Sequence, residues 1–265
     1  MRLPATPLRW LSLLPALLAG CAVYVPTTPS TPLLNPREVE VYADVRGLLS
    51  SLEGGAAWSP RPHLLLSAEA AYQGGSGSET TNGTTFTYSD YHRQGSLSIG
   101  YCRPAPGPNG WYLAALGGMG FASVNLHAFD VGIISPFVPL PFPYYKGLYE
   151  ARYRRYYLQA YAAQALSPQL TGGVSLRGTL VDYTQLTFEG QALAPTARFF
   201  WEPTLFMRLG HRVVQGQATL GLSLPGVRSR DQLADRTAPV SGLISVGVVL
   251  RPDLLWRQLQ APGQD

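Results

Sequence analysis

The stretch LTGGVSLRGTLV, residues 170–181, decides the fold, because apolar and small polar side chains alternate along it. A period of two places alternate side chains on opposite faces of a β-strand. Residues 95–101, 214–224 and 240–251 repeat the pattern. In each of them one face is apolar and the other carries mainly Ser, Thr, Gln and Gly. The sequence therefore predicts an all-β protein.

The composition indicates which environment each face of the strands contacts. Charged residues make up 14% of the chain, against roughly 25% in ordinary soluble domains. The chain also holds 28 glycines and 15 tyrosines, which suit tight turns and aromatic belts. A polar face made of Ser, Thr and Gln, with few Lys or Asp, is typical of a barrel interior. We therefore predict an antiparallel up-and-down transmembrane β-barrel.

The periodic segments predict about ten strands, separated by alternately short and long connections. The predicted strands lie near 37–46, 50–59, 62–74, 86–102, 110–124, 148–166, 169–183, 196–209, 213–224 and 240–251. The long connections are predicted at 75–85, 125–147, 184–195 and 225–239. Over residues 37–251 the chain resembles the small outer-membrane β-barrel proteins of Gram-negative bacteria. That resemblance implies short periplasmic turns and long extracellular loops. The chain departs from the family because it continues into a C-terminal tail, residues 252–265.

The first residues have the profile of a secretory signal peptide. Residues 1–20 hold Arg2 and Arg9, an apolar run, and small residues before Cys21, which matches the layout of such signals. Leu18, Ala19, Gly20 and Cys21 resemble the lipobox of bacterial lipoproteins. The resemblance implies that Cys21 carries fatty acyl chains such as palmitate, and that membrane lipid is a partner of the protein. Ala22 in place of aspartate favours the outer membrane.

Between the signal and the barrel lies a proline- and threonine-rich stretch. Residues 21–36 contain Pro26, Pro29, Pro32 and Pro36, and proline favours an extended chain. We interpret this stretch as a tether for the lipid. With an even number of strands both chain ends lie on the short-turn side, so we expect the N-terminal anchor in the periplasm.

The candidate site is the barrel interior. Six charged residues are predicted to face it and to pair with one another, because buried charges need partners: Glu53, Glu69, Arg177, Arg198, Glu202 and Arg208. Such a network is structural in the first instance. A narrow polar pore is the functional alternative.

The sequence contains few candidates for catalytic or metal-binding residues. No metal-binding motif is recognisable, so we expect no metal and no cofactor. His92 with Ser89 or Ser96 is the one histidine–serine pair that could serve a lipid hydrolase. Cys102 is interpreted as a structural residue, and we expect the protein not to be an enzyme.

A basic cluster suggests that the protein has an anionic partner. Arg152, Arg154 and Arg155 are interleaved with tyrosines. Phosphates of lipopolysaccharide, or another envelope component, are available to such a cluster at the cell envelope. Nucleic acid is not expected there.

The Pro- and Phe-rich residues 131–145 are expected to plug the barrel mouth or to present an apolar surface.

We therefore expect an outer-membrane barrel with a structural, surface-interaction or narrow-pore role. Two alternatives remain open. One is a lipid-tethered soluble barrel or sandwich that binds an apolar ligand, in which Leu176, Leu220 and Val246 point inward. The other is an outer-membrane enzyme that modifies lipids, which needs a histidine, a serine and an acid close together.

Overall fold

The computed structural model describes residues 24–46, 51–81, 84–105, 107, 110–128, 146–194, 197–226 and 241–260. The predicted signal peptide, Cys21 and the 131–145 loop lie outside these residues. Most of the described residues lie in β-strands.

Ten strands form a closed antiparallel barrel, which confirms the predicted fold class. The barrel strands are β1 (Val39–Arg46), β2 (Ser51–Trp58), β3 (Leu64–Thr81), β4 (Thr84–Arg103), β5 (Trp111–Ala128), β6 (Lys146–Ala165), β7 (Leu170–Phe188), β9 (Ala197–Gly210), β10 (Val214–Pro225) and β11 (Ser241–Leu250). A two-residue strand, β8 (Gln191–Ala192), pairs only with the end of β7. Each barrel strand pairs with the next one, and β1 pairs with β11 to close the ring.

The strands alternate as the sequence predicts. On β7, Ser175, Arg177 and Thr179 are buried inside the barrel. Their neighbours Leu176 and Leu180 face outward and are exposed. Because the ring is closed, each of the ten barrel strands is paired on both sides and the barrel has no edge strand.

Outward-facing apolar and glycine residues form a continuous band, which we call the outer belt. On four strands its limits are Trp111–Phe121, 170–180, 199–209 and 214–224. Above these limits the outward face turns polar, for example at Arg154 on β6 and Asp182 on β7. The belt therefore has nearly the same height on each of these strands.

The predicted long connection at 75–85 is wrong. Strand β3 continues to Thr81 and β4 begins at Thr84, and the two pair in register over this length. The segment from Gly74 to Ser78 lacks apolar residues because it lies above the outer belt, where both faces are polar. Backbone pairing continues there without the period-two signal.

Two of the other long connections, predicted at 125–147 and 184–195, are also shorter than predicted, whereas the one at 225–239 has the predicted length and begins one residue later. Strand β5 extends to Ala128, and β7 extends to Phe188 before the short hairpin with β8. The connection between the first two predicted strands falls in residues 47–50, outside the described part of the chain.

The C-terminal tail begins with a helix, α1 (Pro252–Gln260), directly after β11. The side chain of Asp253 in its first turn accepts a hydrogen bond of 3.2 Å from the backbone N–H of Val39 at the start of β1. Leu255, Trp256 and Leu259 are exposed. Among the described residues, no helix is both long and apolar enough to cross a bilayer.

Candidate functional site

The barrel interior is occupied by the protein's own N-terminal segment. Residues 24–34, which we call the lumen segment, have no regular secondary structure, and nearly all of them are buried. The interpretation of residues 21–36 as a free tether is therefore wrong for residues 24–34. Proline keeps this segment extended as expected, but the polar barrel wall binds it along its length.

Carboxylates of the wall accept hydrogen bonds from backbone N–H groups of the lumen segment. Glu53 on β2 accepts from the N–H of Thr28 at 2.8 Å. Glu69 on β3 accepts from the N–H of Ser30 at 3.2 Å. An extended buried chain needs such partners, because an unpaired backbone group is costly away from water.

Donors of the wall satisfy the carbonyl groups of the same segment. Gln159 Nε2 donates to Ser30 O at 2.7 Å, and Arg208 Nη2 donates to Thr31 O at 2.8 Å. The Tyr161 hydroxyl donates to Pro32 O at 2.6 Å. The wall thus contacts the backbone of consecutive residues, which holds the segment in one register.

Two apolar clusters fix the ends of the lumen segment. Tyr24 packs against Phe200 and Tyr153, with ring centroids 4.4 and 5.8 Å apart, and its hydroxyl donates to Glu202 at 2.8 Å. Leu34, fully buried, packs in a second cluster with Leu65 and Phe206 among others. The first cluster lies toward the long connections and the second toward the short turns.

The predicted charge residues lie where the alternation puts them, but their partners differ from those expected. Glu53, Glu69, Arg177, Glu202 and Arg208 are all buried. Arg198 is half-buried. Within the six, the ion pair that forms is Arg177 with Glu69, at 2.8 Å.

The remaining charges pair with residues that the sequence argument missed. Arg208 makes two hydrogen bonds of 2.8 and 2.9 Å to Glu40 on β1. Glu53 lies 2.9 Å from Arg46 on the same hairpin, and Arg155 lies 3.2 Å from Glu69. Glu40 and Arg46 alternate with the outward Val41 and Val45, so the period of two already marked them as inward.

The basic cluster of residues 152–155 is divided by the same alternation. Arg155 points into the barrel, where it donates to the Thr27 hydroxyl at 2.8 Å. Arg152 and Arg154 are exposed on the outer face. The three arginines therefore do not form one surface.

The structure does not bring together the histidine–serine pairs singled out for catalysis. The His92 side chain is fully buried inside the barrel, whereas Ser89 is exposed on the opposite face of β4. Ser96 faces inward but is four residues along the strand, about 13 Å at ~3.3 Å per residue. Its hydroxyl accepts from Arg155 at 2.7 Å, so it belongs to the charge network.

The apolar stripe faces outward, whereas the soluble-barrel alternative predicted that it would point inward. Leu176, Leu220 and Val246 are 47%, 56% and 61% exposed, and the lumen they were expected to line is polar. Tyr72, Tyr101 and Trp201 are also exposed on the outer face. Cys102 is buried and free at the short-turn end, in the cluster that holds Leu34.

The lumen segment runs along the inside of the barrel and is hydrogen-bonded to the wall. Within the described residues, no three His, Cys, Asp or Glu side chains are grouped as they would be to hold a metal ion. A substrate or an ion path through the barrel would share the interior with the lumen segment. Neither a protein-family model nor a curated protein matches this chain.

Proposed function

We propose that the protein is an integral outer-membrane β-barrel whose interior is closed by its own N-terminal segment, with a structural and surface-interaction role. The observation that carries this proposal is the outer belt. Its apolar side chains, including Leu205, Leu220 and Phe121, are exposed on the barrel's outside. Monomeric soluble proteins rarely expose an apolar area of this extent.

The height of the belt fits a bilayer. From Trp111 to Phe121 there are ten residue steps, roughly 33 Å along the strand at ~3.3 Å per step. With a strand tilt of about 40°, this becomes roughly 25 Å along the barrel axis, which matches the apolar band of outer-membrane barrels. On β5 and β7 the next outward positions above the belt are Ser123 and Asp182, which are polar, as they are where a barrel wall enters the headgroup region.

The filled interior favours a closed barrel over a pore. Segment 24–34 lies along the lumen, and wall side chains bond to its backbone at Thr28, Ser30, Thr31 and Pro32. An ion path would need these contacts to break together. The narrow-pore role is therefore less well supported than a structural or surface role, and neither role requires catalysis.

A basic row just above the belt provides a surface for anionic lipid. Arg93 on β4 and Arg152 on β6 are both in register with Ser123, which lies between them on β5. Arg93, Arg152 and Arg154 are exposed on the outer face. At this level they meet headgroups, and guanidinium groups bind phosphate in a bidentate way. Lipopolysaccharide phosphate is the partner that this row fits.

A lipid on Cys21 would add a second attachment to the barrel's own membrane span. We propose that Cys21 is acylated, on the strength of the lipobox resemblance. Radiolabelled palmitate is expected to be incorporated into the wild type and not into the Cys21→Ser variant.

The test of the proposed function separates the two attachments. A Cys21→Ser variant with a conventional cleavable signal is expressed, and its membranes are extracted with carbonate, urea and then detergent. We expect release by detergent alone, and a folded band on a gel that shifts on boiling. Release of the variant without detergent would mean that the lipid is the protein's attachment and that the barrel does not span the membrane.

A further inference from the structure

The lumen segment runs through the barrel in one direction, away from the long connections. Tyr24 packs with Val124, Tyr183 and Phe200, which lie near the ends of β5 and β7 and the start of β9. Leu34 packs with Ala57 and Cys102, which lie beside the short turns. Residues 24 and 34 therefore lie at opposite ends of the lumen.

The length of the segment matches the height of the outer belt. Ten residue steps separate Tyr24 from Leu34, and a proline-rich extended chain rises about 3.1 Å per residue, or roughly 31 Å in total. This is enough to cross an apolar band roughly 25 Å tall. Tyr24 lies at the upper limit of the belt, because its partners Ala122 and Val181 directly follow the last apolar positions, Phe121 and Leu180.

The chain before Tyr24 has little reach. Three residue steps separate it from Cys21, at most about 11 Å of extended chain. Returning to the short-turn end would require the chain to cover the height of the belt a second time. Cys21 is therefore confined to the long-connection end.

Tyr24 packs toward one side of the barrel wall, strand β9. Its hydroxyl bonds to Glu202 and its ring packs on Phe200, both of β9. In the described residues, β9 begins at Ala197 and β10 ends at Pro225, next to the belt limit. By contrast, β6 begins at Lys146, well above the belt.

We infer that the mature N-terminus leaves the barrel at the long-connection end, and that a lipid on Cys21 enters the leaflet on that side, opposite helix α1. Given the orientation in the proposed function, that leaflet faces the cell exterior. This replaces the expectation of a periplasmic anchor, which assumed that both chain ends lie beside the short turns. The C-terminal end does lie there, whereas the N-terminal end has crossed the lumen.

Three epitope-tagged proteins test the inference, each in the Cys21→Ser background with a cleavable signal. One tag follows Ala22, the second is placed in the Glu189–Gly190 turn at the long-connection end, and the third follows Asp265. Antibody is applied to intact and to permeabilised cells. We expect the first two tags to bind antibody on intact cells, and the third to need permeabilisation.

The tag after Ala22 is judged against the other two. If it behaves as the C-terminal tag does, the inference is wrong, whichever way the barrel is oriented. If the turn tag needs permeabilisation and the C-terminal tag does not, the proposed orientation fails. In that case the inference stands as long as the Ala22 tag follows the turn tag.

A measurement on purified protein is independent of the membrane. Energy transfer from a dye on the Ala22 tag is expected to be stronger to a dye at Gln191 than to one at Gln260. The reverse order overturns the inference even if the barrel proves to be soluble. Detergent-free extraction, by contrast, contradicts only the proposed function.

Discussion

At the scale of single residues, Glu69 connects the barrel wall to the lumen segment. Its carboxylate is bonded to Arg155, Arg177 and the backbone N–H of Ser30. All of these groups are buried, so each loses its water on folding. Removing one partner of a buried ion pair typically costs about 3–5 kcal/mol, because the charge left behind is uncompensated.

Glu69→Gln is therefore expected to lower the free energy of unfolding by about 3–5 kcal/mol. The measurement is the urea concentration at which the folded, heat-modifiable band disappears. Glu150→Gln is the matched control, since Glu150 is exposed on the outer face of β6; a surface change of this kind stays within about 0.5 kcal/mol. Equal shifts for the two variants would contradict the role of Glu69.

The inward direction of Glu69 and Arg177 was predictable from the alternation on β3 and β7, because a period of two fixes the face of a strand residue. Their contacts with the lumen segment were not. Ser30 lies 39 positions from Glu69 in the chain, and a proline-rich stretch carries no periodic signal to show that it is buried. A local sequence pattern shows which face of a strand a residue occupies. Which segment lies in the lumen becomes visible only once the barrel is closed.

At the scale of elements, the lumen segment behaves as a ligand that is part of the same chain. The wall supplies acceptors for the N–H groups of Thr28 and Ser30 and donors for the carbonyl groups of Ser30, Thr31 and Pro32. Backbone contacts therefore hold the middle of the segment, and the side chains of Tyr24 and Leu34 hold its ends. The ion pair of Arg208 with Glu40 lies entirely within the wall.

Replacing residues 24–34 with a Gly-Ser sequence is expected to open the lumen. The variant with the replaced segment, reconstituted in a planar bilayer, should give stepwise ion conductance, whereas the wild type should give none. A protein whose residues 261–265 are replaced in the same way serves as the control. Conductance of equal size in wild type and variant would show that the segment does not close the lumen.

The strands themselves were predictable wherever one face is apolar. The predicted bounds of β9, β10 and β11 differ from the observed ones by one residue. The errors lie above the outer belt, where β3 and β7 continue with polar residues on both faces. There the backbone ladder alone maintains the strand, and hydropathy cannot mark its end.

At the scale of the whole molecule, the outer belt predicts where a charge is tolerated. Leu176 and Thr184 lie on the outward face of β7, the first inside the belt and the second above it. Arginine at the midplane of an outer-membrane barrel costs about 2–4 kcal/mol, and near the interface about 0–1 kcal/mol.

Leu176→Arg is therefore expected to destabilise the barrel by about 2–4 kcal/mol, and Thr184→Arg by about 1 kcal/mol or less. Unfolding in urea from lipid vesicles measures both. A soluble barrel would tolerate either arginine on its surface, so small and equal effects would contradict the membrane span.

The basic row above the belt predicts a lipid partner. The double variant Arg93→Gln/Arg152→Gln is expected to purify with several-fold less lipopolysaccharide than the wild type, because two phosphate-binding groups are lost. The amount is measured by phosphate and sugar analysis of the purified protein. Arg212→Gln, exposed at a short turn, controls for the loss of positive charge; an equal decrease there would rule out a specific site.

The most direct test of the account is the depth of the outer belt in a bilayer. A fluorophore is attached in turn to Val214→Cys, Ala218→Cys and Leu222→Cys on β10, in a Cys21→Ser/Cys102→Ala background, and quenched by lipids labelled at the acyl-chain end. A membrane-spanning barrel predicts the strongest quenching at position 218 and weaker quenching at 214 and 222. A flat profile, with no more quenching than at the exposed Gln191→Cys, would contradict a barrel that spans the membrane.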